Sequence, residues 1–171
     1  NVFGAGALTM GTPPLRPIRG VDPARLVETR DGVNDRTYDG KQEAIGRRAA
    51  GEVTEVQVGG RGGVPSSASA ALLNVTAVGP SGPGFLTVYP CGSARPNASN
   101  VNYLEGQVVP NAVLSGIGTG GKVCIYTLAA THLVVDVNGF VPADGSPRPL
   151  VPARLYESRD GYKTDDGKQN N

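Results

Sequence analysis

The chain has 171 residues, a formal charge of +1 from 16 basic and 15 acidic side chains, and one histidine. No basic run marks a nucleic-acid footprint, and no apolar run approaches the ~20 residues of a helical membrane span. Aromatic residues make up 5% and Trp is absent, so Val, Leu, Ile and Ala must build the core; 25 Gly and 14 Pro disfavour long helices and suit short strands joined by turns.

Residues 1–20 are expected to be the tail of a preceding unit followed by a Pro-rich linker. Val2-Phe3-Gly4 echoes Val137-Asn138-Gly139, and Thr12-Pro13-Pro14-Leu15-Arg16-Pro17 resembles Gly145-Ser146-Pro147-Arg148-Pro149-Leu150. No signal peptide is visible at Asn1, as expected of a chain that starts mid-protein. The most informative feature follows. Val21-Asp22-Pro23-Ala24-Arg25-Leu26-Val27-Glu28-Thr29-Arg30-Asp31-Gly32 is echoed by Val151-Pro152-Ala153-Arg154-Leu155-Tyr156-Glu157-Ser158-Arg159-Asp160-Gly161. Asp39-Gly40-Lys41-Gln42 recurs as Asp166-Gly167-Lys168-Gln169. A period of about 130 residues is that of a domain, so the pattern predicts a string of like domains.

Between the two echoes, alternation dominates. Glu52–Val58 carries Val56 and Val58 on one face. Ala70–Val78 carries Leu73, Val75 and Ala77, with Asn74 and Thr76 opposite. Gly84–Tyr89 and Lys122–Thr127 behave alike, and His132–Asn138 turns Leu133, Val135 and Val137 inward. Gln107–Ile117, with Pro110 near its start, predicts an edge or bent strand. Gly59–Pro65, Gly79–Gly84, Cys91–Asn97 and Gly118–Gly121 supply the turns, and Glu43–Ala50 is expected to form one helical turn.

Cys91 and Cys124 adjoin strand-like runs and are expected to form a disulfide between neighbouring strands or a strand and a loop, the alternative being two buried thiols. A disulfide implies an oxidising, extracellular compartment. The reuse of Arg25, Glu28 and Arg30 as Arg154, Glu157 and Arg159 points to a structural, charge-assisted contact that closes the sandwich, with a ligand-reading arginine as the alternative. Asp31, Asn34, Asp35 and Asp39 offer hard oxygens suited to Ca²⁺, but lack the spacing of a calcium loop. A solvated turn balanced by Arg30, Arg36 and Lys41 is the simpler expectation. Tyr89 and Tyr103 flank a Ser/Asn-rich loop that includes Asn97 and Asn100, a candidate sugar-binding surface; the alternative is a polar connection pinned by Cys91. His132 stands alone, and no Gly-x-Ser-x-Gly elbow is present, so catalysis is disfavoured.

The ordered pieces VDPARLVETRDG, VQVGGRGGVP, ALLNVTAVGP, GFLTVYPCGSARPNASNVNY, GGKVCIYT and HLVVDVNGFVP resemble the repeated modules of large secreted actinobacterial proteins with a "PARLLDTR"-type opening. Val27-Glu28 departs from the usual Leu-Asp, as does the acidic insert after Gly32. The resemblance implies an accessory or surface unit, brings no catalytic motif, and carries over no functional residue.

The expectation is therefore an all-β antiparallel sandwich or jelly-roll-like module over residues 21–142, with partial neighbouring repeats at both ends: residues 1–20 before it, and a linker and next opening over residues 143–171. Its expected role is that of a secreted structural or adhesive repeat, assembling end to end with neighbouring copies by strand addition, without nucleic acid, membrane span or cofactor. The alternative is a carbohydrate-binding accessory module with polysaccharide as partner.

Overall fold

The computed structural model describes residues 17–145 and 147–168. The expected tail at Asn1–Gly4, most of the first Pro-rich spacer, and Gln169 lie outside these residues. Eight strands form two sheets: β1 (Arg19–Glu28), β2 (Val53–Gln57), β3 (Ala70–Val78), β4 (Gly84–Pro90), β5 (Val101–Tyr103), β6 (Val108–Gly116), β7 (Lys122–Thr127) and β8 (His132–Val141). One sheet has the order β1-β8-β3-β6 and the other β2-β7-β4-β5, with every pair antiparallel.

The pairs β1–β8, β2–β7, β3–β6 and β4–β5 nest inside one another. The chain thus behaves as one long hairpin rolled onto itself, with β3–β8 and β4–β7 closing the roll. This is the strand order of a jelly roll, the double-sheet solution for an antiparallel sandwich.

Alternation explains the core. Leu73, Val75 and Ala77 on β3 meet Leu133, Val135 and Val137 on β8 in one layer. Val56, Leu86, Val88, Val123 and Ile125 supply the facing layer. Each fully buried Val or Leu contributes about 1.5–3 kcal/mol.

The edges follow from their prolines. β1 is an edge strand whose register against β8 slips between Gly20 and Ala24, around Pro23, and again between Arg25 and Val27. Proline has no N–H to give a ladder and is accommodated at edges and bulges. β6, with Pro110, is the opposite edge of the same sheet, as the sequence predicts.

Residues Glu43–Ala50 form no helical turn. Gln42 and Ala44 have φ of 52° and 50° and Gly46 of 82°, which breaks helical geometry. Their backbone bonds go instead to β1 and the β7–β8 turn: Ala44 N–H to Glu28 O at 2.8 Å, Gly46 N–H to Thr29 O at 3.0 Å, and Arg48 N–H to Thr131 O at 2.9 Å.

Candidate functional site

The repeated arginines and glutamate converge at the end of β1. Glu28 is fully buried. Arg30 grips it bidentately, Nε to Oε1 at 2.9 Å and Nη2 to Oε2 at 2.8 Å, and the Arg30 backbone N–H donates to Oε1 at 3.1 Å. Arg25 Nη1 donates to Oε2 at 3.1 Å, while its Nε reaches Asp136 on β8 at 2.9 Å. In a regular strand, residues three apart face opposite sides. The bulge between Arg25 and Val27 resets that parity and brings Arg25 and Glu28 together. Burial opposes ionisation of Glu28, but the hydrogen bonds and charges of Arg30 and Arg25 outweigh it and hold its carboxyl below the usual range. The Arg25 bond to Asp136 joins two strands of one sheet, so it braces that sheet rather than bridging the two.

The second copy reproduces this knot. Arg159 Nε donates to Glu157 Oε1 at 2.8 Å and Nη2 to Oε2 at 2.7 Å, its backbone N–H to Oε1 at 3.0 Å, and Arg154 Nη1 to Oε2 at 2.9 Å. The hydrogen bonds from Arg159 pull the Glu157 carboxyl down to about 2. The loops behind the knots also match. Tyr38 N–H bonds Arg25 O at 3.0 Å, and Asp165 N–H bonds Arg154 O at 2.9 Å. Lys41 N–H bonds Asp39 Oδ1 at 3.2 Å, and Lys168 N–H bonds Asp166 Oδ1 at 3.0 Å. The surroundings differ. Leu26 and Val27 are buried in the core, whereas Leu155 and Tyr156 are 72% and 69% exposed. Arg154 makes no second ion pair among the described residues, where Arg25 takes Asp136.

The residue that ties the two sheets together is Arg61, which sequence reasoning missed. It is 4% exposed. Its Nε and Nη2 clamp Asp39 at 2.9 and 2.6 Å, Nη2 also bonds Leu26 O on β1 at 3.1 Å, and Nη1 bonds Gln57 O on β2 at 3.2 Å and Gln42 Oε1 at 3.1 Å. The Arg61 hydrogen bonds pull Asp39 down to about 2. Gly62 allows this turn, because its φ is +55° and a Cβ there would lie 2.6 Å from Val137 Cγ1. Gln42 completes the seam. Its carboxamide donates to Glu55 O at 2.7 Å and accepts from Gln57 N–H at 3.2 Å, imitating a neighbouring strand along the free edge of β2.

The acidic residues do not converge on a cation. Asp35 pairs with Arg30 at 2.9 Å, Asp39 faces Arg61, and Asp31 and Asn34 are exposed. Among the described residues no three His, Cys, Asp or Glu side chains are grouped to hold a metal.

Tyr89 and Tyr103 do not fit the sugar-binding candidate. Both are buried, so neither offers a ring face to a sugar. Tyr103 lies over Gly84, its partner across β4–β5, and its hydroxyl accepts from Ala129 N–H at 3.3 Å. Asn100 Oδ1 accepts from Val88 N–H at 2.7 Å, and Asn97 Nδ2 donates to Lys163 O at 2.9 Å. Cys91 and Cys124 form the disulfide, linking the end of β4 to β7. Thr29 Oγ1 accepts from Leu133 N–H at 2.9 Å and is hydrogen-bonded to His132 Nδ1 at 2.9 Å. Burial pushes the His132 pKa down.

No family model, no curated protein and no solved structure matches this chain.

Proposed function

We propose that the chain is a link in a tandem array of jelly-roll units with a structural or adhesive role outside the cell. The observation that carries this reading is the second Arg–Glu–Arg knot. A segment that repeats both the sequence and the bond pattern of the first opening, yet leaves Leu155 and Tyr156 exposed, behaves as the first strand of a further unit. The disulfide supports an oxidising compartment. Among the described residues no helix is long and apolar enough to cross a membrane.

Non-catalytic work is supported by His132, whose Nδ1 is engaged by a structural threonine. The partners in this reading are neighbouring copies. Of the four sheet edges, β1 is covered along Arg25–Glu28 by residues 38–44, β2 is sealed by Gln42, and β5 is three residues long. Strand addition is therefore left to β6 beyond Pro110. With Tyr89 and Tyr103 buried, the sugar-binding alternative loses the rings that motivated it.

The test is negative-stain imaging of the native parent protein taken from the cell envelope. A beaded strand with about one bead per 130 residues is expected. A single globule holding all of the parent's mass would contradict the reading.

A further inference from the structure

Residues 147–168 do not hang free of the sandwich. Pro149 Cγ lies 4.0 Å from where a Cβ on Gly116 would stand. Asn97 holds the Lys163 carbonyl at 2.9 Å. Asn97 also lines a cleft of about 450 Å³. One wall is Phe85 with Asn97, Ser99 and Asn102, and the other is Arg154, Arg159 and Tyr162. Arg159 sits over the Tyr162 ring at 4.2 Å, which holds that ring at the cleft.

The internal repeat extends this contact. Counting from the shared Arg-Asp-Gly, the residue of the first turn that matches Tyr162 is Val33, and it is 86% exposed. Val33 packs into neither apolar cluster of its own unit, and Tyr162 at the cleft is 52% exposed.

We propose that each unit carries a socket and a plug. The socket is the start of β4 with residues 97–102, and the plug is the Arg-Asp-Gly turn of the following unit, tipped by Tyr162 here and by Val33 in the first turn. Because the two surfaces differ, the contact is head-to-tail and propagates in one direction along the array. Successive units then meet at a set angle, and the array is a jointed rod instead of beads on slack tethers. The proposal rests on reading residues 151–168 as the opening of a following unit; failure of that reading would show in the imaging of the parent, whereas failure of the seat shows in the 171-residue chain alone.

The experiment uses that chain with a nitroxide on K163C and records paramagnetic broadening of backbone amides by NMR. Outside the labelled segment itself, the expected result is broadening strongest at Phe85 and residues 97–102 and much weaker on β2, at the far edge of that sheet. Asn97→Asp, which removes the donor to the Lys163 carbonyl and alters no other side-chain bond of that residue, should reduce the broadening at least several-fold. Tyr162→Val, which places the first turn's residue in the socket, should retain it. Absence of site-selective broadening, or broadening indifferent to Asn97→Asp, would overturn the seat. Loss of broadening in Tyr162→Val would overturn the extension to Val33.

Discussion

Glu28 and Glu157 are chemically alike and mechanically different. Glu28 is buried at the end of a core strand with two arginines and Asp136 arranged around it, so Glu28→Gln leaves Arg25 and Arg30 without their shared counter-charge. Breaking such a buried pair costs about 3–5 kcal/mol in general, and the partly exposed arginines place this case nearer 2–3. Chemical denaturation checks the figure. The pH dependence has a definite sign. Glu28 and Asp39 titrate near 4.5 and 3.8 when unfolded, and both are lowered in the fold, Asp39 to about 2. The unfolded chain therefore binds more protons in that interval, and the stabilisation is complete above about pH 4.5 and lost as pH falls toward 2. Melting temperature should begin to fall as pH drops below about 6.5, where the unfolded chain protonates His132 more readily than the fold does, and should decline more steeply below about pH 4.5. A melting temperature unchanged down to pH 2 would show that these carboxylates contribute nothing.

The same scale explains which residues the sequence disclosed. The reuse of Arg25, Glu28 and Arg30 was visible because the chain spells it twice. Arg61 was hidden because a charge among glycines reads as a turn, and its partners Leu26 and Asp39 lie 35 and 22 positions away. The acidic cluster reads as a turn balanced by nearby cations, and Arg30 does take Asp35, but spacing does not reveal that the distant Arg61 takes Asp39. Tyr89 and Tyr103 border a polar loop, but the register turns Tyr103 into the core between the sheets, whereas Tyr89, on the face opposite Leu86 and Val88, is buried against Cys91, Cys124 and Tyr126.

Among the elements, β3, β7 and β8 were legible from strict alternation, and β6 from its proline. β5 was not, because three residues fall below any periodic signal and the strand exists only through pairing with Gly84–Leu86. β1 was recognised as a repeated segment but not as ten residues of strand, since two bulges break its alternation. The segment after Gln42 read as helix-compatible, but its bonds are spent on covering the edge of β1.

Gln42 gives this scale its own prediction. Gln42→Ala leaves Glu55 O and Gln57 N–H open on an edge strand, so stability should fall by about 1 kcal/mol and light scattering on concentration should rise. Equal scattering in the two proteins would argue that the seal is incidental. Reduction of Cys91–Cys124 frees a 33-residue loop and should lower stability by about 3–4 kcal/mol in the chain-entropy model, measured by denaturation with and without reductant.

For the whole molecule, the nested pairing of β1 with β8 confines one complete core to Arg19–Val141. The segment after it repeats the Arg–Glu–Arg bonds of the first copy but forms no strand among the described residues and contributes nothing to that core. Leu73→Ala, at the centre of the core, should cost about 2–5 kcal/mol, whereas Leu155→Ala, at a site 72% exposed, should cost almost nothing. The division of labour between the two copies is the claim on which the reading as a tandem unit depends.

The most direct measurement compares the melting of two single variants of the 171-residue chain. Glu28→Gln should lower the melting temperature by about 10 °C, and Glu157→Gln should leave it within about 2 °C of the parent. Equal falls in both variants would mean that the two knots belong to one cooperative body, and that the second is no opening of a separate unit.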